Sequence, residues 1–217
     1  MINSVNNLKT IQDTLKNKIK NLTGLNIIAV SKTQPIKNIY PLINSGHEHF
    51  GENKVKEAME KWSTIKQDFN HIQLHMIGKL QTNKVKFVIP LFDYIHSLDS
   101  IKLAEKISTE QEKVNKRLKI FIQINIGNEN QKSGISEDKL NDFYKKCVQD
   151  LNLNIIGLMC LPPKNDDAKN YFLKMKNLSR KIEINQLSMG MSNDYLEAAT
   201  SGATFLRIGS KIFGKRI

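Results

Sequence analysis

The sequence is poor in cysteine, arginine and long apolar runs. Its two cysteines, Cys147 and Cys160, form no CxxC pair. No His/Cys cluster has metal-ligand spacing, which argues against a zinc module or a disulfide scaffold. Cys147 reads as part of a helix and Cys160 as the end of a buried strand, both packing positions. No stretch approaches the roughly 18 apolar residues of a membrane span, so no membrane partner is expected. The N-terminal MINSVNNLKTIQDTL has no basic region followed by an apolar core. It is no secretory signal, and a cytoplasmic location is expected. Arginine occurs only at 117, 180, 207 and 216, and the net charge of +12 rests on lysines scattered among Asn, Ile and Glu. Without a basic run interleaved with aromatics, no specific nucleic-acid partner is expected. Attraction of small anions stays open.

What the chain does have is alternation. Ile2, Val5, Leu8, Ile11, Leu15 and Ile19 follow a helical period over residues 1–22. Eight strand-like runs follow, at 25–31, 47–51, 71–78, 92–98, 117–127, 153–161, NQLSMG and 203–209. Helical patterns separate them, and the short SKIFGKR closes the chain. Pro35 suits a helix start and Gly46 a helix end. Asp99 or Ser97 is expected to cap the helix 100–114, and Ser136 the helix 136–149. Strands alternating with helices predict a parallel sheet, and eight units predict closure into a single α/β (β/α)8 TIM barrel with an additional N-terminal helix. The competing open doubly wound sheet often carries GxGxxG after its first strand, and that is missing here. No linker divides the 217 residues, which suit one domain.

In such a barrel the C-terminal strand ends form the active face. The first strand, IIAVSKT, ends on Lys32. Burial disfavours a lysine's charged form, and a neutral amine makes Schiff bases with carbonyl compounds. A plain strand-end lysine pointing to solvent is the other reading. The remaining strand ends carry Glu52 and Asn53, His75 before Gly78, Asn125, and Arg207. Taken singly, Asn53 suits a helix cap and His75 a satisfied core histidine. The loops Ser188-Met189-Gly190-Met191-Ser192 and Ile208-Gly209-Ser210 lead into helices, whose N-terminal N–H groups suit a phosphate. Ordinary turn chemistry also favours Gly and Ser there. A strand-one lysine with a phosphate site at strands seven and eight suggests pyridoxal 5′-phosphate (PLP). Arg207 would reach its pyridine nitrogen and, unable to accept a proton, would leave a weak electron sink.

The segments AVSKT, FGEN, His75 to Lys84, QINIGNENQKSG and LSMGMSNDYLEAATSGATFLRIGSKIFGKR resemble the pyridoxal phosphate homeostasis protein family. The family resembles the barrel domain of alanine racemase without its second domain. The resemblance implies one PLP-binding barrel domain over 1–217, with Lys32 as the Schiff-base lysine. Ser188, Gly190 and Ser192, with the backbone of Ile208, Gly209 and Ser210, would hold the phosphate. Arg207 would face the ring nitrogen, and Asn53 and His75 would lie beside the cofactor. Leu74 stands where many members carry tryptophan, and the sequence stops soon after FGKR; neither touches the lysine or the phosphate loops.

Two functions compete. A carrier would store PLP and hand it to PLP-dependent apo-enzymes, with Lys132 of ENQKSG as a second amine at the active face or as a plain surface lysine. It would be a monomer or a weak dimer, and no catalyst. An amino-acid racemase of low activity is the alternative. Racemisation needs a second acid/base opposite the lysine. Tyrosines 40, 94, 144, 171 and 195 all fall in helices or strand interiors, so the carrier is favoured. A class I aldolase would also use a barrel lysine, but without the cofactor.

Overall fold

The computed structural model describes residues 3–129, 131–164 and 166–214. Eight strands form a closed, all-parallel barrel in sequence order. They are β1 (Asn26–Val30), β2 (His49–Glu52), β3 (Gln73–Met76), β4 (Tyr94–Leu98), β5 (Lys119–Ile124), β6 (Ile155–Cys160), β7 (Gln186–Ser188) and β8 (Phe205–Ile208). Around them stand α1 (Ser4–Lys18), α2 (Ile36–Asn44), α3 (Val55–Asp68), α4 (Val85–Leu91), α5 (Ile101–Val114), α6 (Leu140–Lys145), α7 (Ala168–Lys181), α8 (Tyr195–Thr200) and α9 (Ser210–Phe213). The ring closes where Ile28 of β1 pairs with Arg207 of β8.

Alternation along each strand splits the core into two layers. Ile28, Val30, Tyr94, Phe121, Met159 and Phe205 pack inside the barrel. Ile27 and Ala29, their neighbours on β1, face outward into the larger cluster under the helices. The expected N-terminal helix is present, and its place has a reason. The helix after β8 has only four residues, too short to cover the ring between α8 and α2. The apolar face of α1, through Leu8, Ile11 and Leu15, fills that gap. Asn7 Nδ2 donates to the Ile212 carbonyl of α9 at 2.9 Å, tying the two ends of the chain together.

Some local expectations are corrected. The residue at the N-cap of α5 is Ser100, in an extended conformation; Ser97 is buried inside β4. The helix read over 136–149 is three pieces: a 3-10 turn Glu137–Lys139 after the expected cap Ser136, then α6, then a π turn Lys146–Asp150. The helix after β7 begins only at Tyr195, which leaves 189–194 as a loop. Among the described residues no helix is long and apolar enough to cross a membrane. No group of His, Cys, Asp and Glu among them could hold a metal ion.

Candidate functional site

A cavity of about 1050 Å³ opens at the C-terminal ends of the strands. Lys32, Asn53, Ser192, Arg207, Gly209 and Ser210 stand on its wall, as do Asn125 and Lys132. His75, Ser188, Gly190 and Ile208 do not line it. His75 and Ser188 are fully buried inside the barrel, Ile208 ends β8 with no exposure, and Gly190 packs behind the wall. The reason is the two-residue strand period: His75 pairs with Gly51 and Tyr94, and Ser188 with Met159 and Phe205, which are inward positions.

Lys32 is half-buried and bracketed on both sides. Before it, the Ser31 hydroxyl donates to Glu52 Oε1 at 2.8 Å, and the Ser31 carbonyl accepts from Lys61 Nζ at 2.9 Å. After it, Thr33 has a positive φ of 64°, a strained setting for a β-branched residue. Its N–H donates to Glu57 Oε1 at 2.5 Å. Lys61 joins the two carboxylates, at 3.2 Å to Glu52 and 2.6 Å to Glu57. Trp62 Nε1 donates to Glu52 Oε1 at 3.1 Å. Glu52 has no exposure, and burial pushes its carboxyl pKa up while Lys61 pulls it down. This network fixes the β1–α2 loop from outside the barrel. It was missed in the sequence because Lys61 and Trp62 read simply as positions in the helix after GEN.

Arg207 reaches the cavity from within. Its Nη1 donates to Ser188 Oγ at 2.6 Å and its Nη2 to the Cys160 carbonyl at 2.8 Å. Burial lowers its pKa, yet a guanidinium keeps its charge and only donates. At the loop after β7, Gly190 takes φ +87°, and a Cβ there would stand 2.4 Å from the Ala198 Cβ. Only glycine fits. The Gly190 carbonyl accepts the Arg207 N–H at 2.9 Å, joining the loops after β7 and β8. Ser192 Oγ accepts from the Lys211 N–H at 3.4 Å, across the first turn of α9. Asp194, also on the wall, takes the Met191 N–H at 2.5 Å. Of the loop residues expected at a phosphate, Ser192, Gly209 and Ser210 thus stand on the wall, with the Asp194 carboxylate beside them.

Across the cavity, Asn53 Oδ1 is buried with no hydrogen-bond partner among the described residues. Gly78 explains the closeness there: a Cβ at 78 would lie 2.3 Å from the Asn53 carbonyl. Lys132 is ion-paired with Glu129 and donates to the Pro162 carbonyl at 3.3 Å. No tyrosine among the described residues lines the wall. Tyr171 comes near it, its hydroxyl donating to Asp166 at 2.6 Å.

A lysine, an arginine and two serines thus meet on one cavity of a closed eight-stranded barrel. The alanine racemase N-terminal domain model matches residues 5–216. A pyridoxal phosphate homeostasis protein of Pasteurella multocida is 35% identical over 224 residues, covering 97% of this chain and 96% of the relative. The chain belongs to the pyridoxal phosphate homeostasis protein family. The member from Escherichia coli K12 is 33% identical over 201 residues, covering 88% of this chain and 86% of its own. Among solved structures, PipY of Synechococcus elongatus with PLP bound superposes with a TM-score of 0.87 at 28% identity, covering 97% of this chain and all of that one. An alanine racemase of Clostridium difficile shares the fold at 15% identity and a TM-score of 0.72, with 57% of its chain covered.

Proposed function

We propose that the protein holds pyridoxal 5′-phosphate as a Schiff base on Lys32, in one barrel domain spanning the chain. In that reading it serves intracellular homeostasis of the cofactor, storing it and passing it to PLP-dependent apo-enzymes. The single observation that carries the proposal is that Lys32, Arg207, Ser192 and Ser210 line the same cavity. The relatives' shared name and the PLP-bound PipY support it. The residues fit the group. An amine, a guanidinium and two hydroxyls at a loop-to-helix junction complement an aldehyde, a pyridine nitrogen and a phosphate. The unpartnered Asn53 Oδ1 supplies an acceptor where a ring hydroxyl needs one.

Bound pyridoxal phosphate supplies an aldehyde that condenses with a lysine amine, releasing one water. The chain's own residues do the rest. Lys61, Glu52 and Glu57 hold the segment around Lys32 in place. Arg207 donates towards the ring nitrogen and, lacking an acceptor, leaves that nitrogen unprotonated. Ser192, Gly209 and Ser210 hold the phosphate, with Gly190 shaping the loop behind. His75 and Ser188 act from behind the wall.

A non-catalytic carrier, cytoplasmic and monomeric or weakly dimeric, is the reading we adopt. Its support is the relatives' name and a donor-only partner for the ring. Purified protein loaded with pyridoxal phosphate is expected to be yellow, and Lys32→Ala to lose that band. A wild-type protein that stays colourless with excess cofactor refutes the assignment. Racemase and transaminase assays test the carrier role, which turnover above about 1 per second would overturn.

A further inference from the structure

The barrel interior is apolar around Ile28, Val30, Phe121, Met159 and Phe205, yet a line of polar side chains crosses it. Arg207 Nη1 donates to Ser188 Oγ at 2.6 Å. Ser188 Oγ lies 2.8 Å from His96 Nδ1, and His96 Nε2 lies 2.9 Å from His75 Nδ1. His75 Nε2 in turn lies 2.9 Å from His49 Nδ1. His75, His96 and Ser188 have no exposure. The ring planes are fixed by stacking, His75 on Tyr94 at 4.1 Å and His96 on Phe121 at 4.3 Å. At the far end, His49 lines a second cavity of about 400 Å³ beside the N-terminal ends of β1 and β2. The line therefore joins two cavities at opposite ends of the barrel.

Counting protons gives the line a direction. Burial holds His75 and His96 well below the ordinary histidine range, so each is neutral and carries one ring N–H. Arg207 can only donate, so Ser188 Oγ accepts from it and gives its own proton to His96 Nδ1. His96 then carries its proton on Nε2 and donates to His75 Nδ1. His75 does the same to His49. Every bond runs the same way, from the cofactor mouth to the lower cavity. The opposite sense would make Ser188 accept from both Arg207 and His96 and turn its own proton into an apolar interior, which is costly.

We propose that His96 and His75 are positioning residues: with Ser188 they form a one-way hydrogen-bond line, ending at His49, that fixes how Arg207 presents its guanidinium to the cofactor ring. The effect on the ring rests on the PLP reading above, whereas the line itself belongs to the chain alone. A proton gained at His49 reverses the line. The new Nδ1–H meets the His75 Nε2–H, so His75 and then His96 exchange tautomers, and Ser188 becomes a double acceptor. Glu48 beside His49 and Asp93 ahead of β4 favour that proton, while burial and Lys119 of β5 oppose it. His75 on β3, the rings of Tyr94 and Phe205, His47, and Lys16 of α1 on the lower cavity complete the surroundings. Burial, the largest influence, holds His49 low, so the reversal is expected below the ordinary histidine range.

Ring 15N–1H correlation spectra of the full chain without cofactor test the line directly. His49, His75 and His96 are all expected as Nε2–H tautomers near neutral pH, and Nδ1–H on His75 or His96 overturns the proposal. On loaded protein, Ser188→Ala removes only the hydroxyl, and His96→Phe keeps the stacking on Phe121. Each is expected to shift the visible band and to weaken cofactor binding about tenfold. If both variants keep the wild-type band and affinity, the line does not position Arg207. A colourless wild-type protein with the expected tautomers overturns the cofactor reading and the effect on its ring, and leaves the line standing.

Discussion

Replacing Lys61 by methionine removes a cation that touches both Glu52 and Glu57. Methionine keeps the apolar stem, so the change is chiefly electrostatic. Glu52 has no exposure, and its Oε2 already lacks a hydrogen-bond partner among the described residues. Leaving a buried charge without its counter-charge costs about 3–5 kcal/mol. Lys61 keeps 11% side-chain exposure and Glu57 22%, which points to the lower end, about 3 kcal/mol. For a chain of this length each 1 kcal/mol lowers Tm by about 2–4 °C, so a fall of roughly 6–12 °C is expected. The loss must also depend on pH. Burial raises the Glu52 pKa and Lys61 opposes that rise, so the variant's Glu52 titrates higher still. In the window between the unfolded and folded values the unfolded chain binds fewer protons, and stability falls as pH rises. Urea unfolding followed by far-UV circular dichroism at pH 5 and pH 7.5 reads both effects. Lys61→Met is expected to lose about 3 kcal/mol at the higher pH and clearly less at the lower. Glu52→Gln keeps an acceptor for Ser31 and Trp62, and in the double variant the pH dependence should vanish. Equal losses at both pH values, or a loss under about 1 kcal/mol at pH 7.5, would refute the buried-charge account.

Gly78→Ala drives a methyl into the Asn53 backbone; the expected cost is about 2 kcal/mol, with weaker cofactor binding seen by absorbance titration. Wild-type affinity in that variant would mean Asn53 has no part in the site. Cys147 and Cys160 are buried, and burial pushes both thiols up to about 12. Neither should react with a thiol reagent in folded protein at pH 8, and both should react in urea. Fast reaction of either in the native state contradicts the packing.

The clamp on Lys32 and the histidine line share a property that kept them out of the linear sequence. Each brings together residues distant in the chain, such as Ser31 with Glu52, 21 positions on, and His96 with Ser188, 92 positions on, whose meeting depends on strand register. His75 reads as a strand-end residue, and as one it was expected at the mouth. One step of the strand period turns it into the barrel instead, between Gly51 and Tyr94. Ser188 reads as one end of a phosphate loop, but its inward register sets it under Arg207. Ser192, four residues later and past the end of β7, stays on the wall.

By itself the sequence determined the alternation of strands and helices, the closure into a barrel and the order of Lys32, Arg207 and the serine loops along its rim. Those depend on local periodicity and on turn chemistry, which neighbouring residues carry. Tertiary structure decided which strand-end side chains face the cavity, which face the interior, and which outer helix steadies Lys32. Those outcomes follow from register and burial, and burial is a property of the closed ring that no single segment contains.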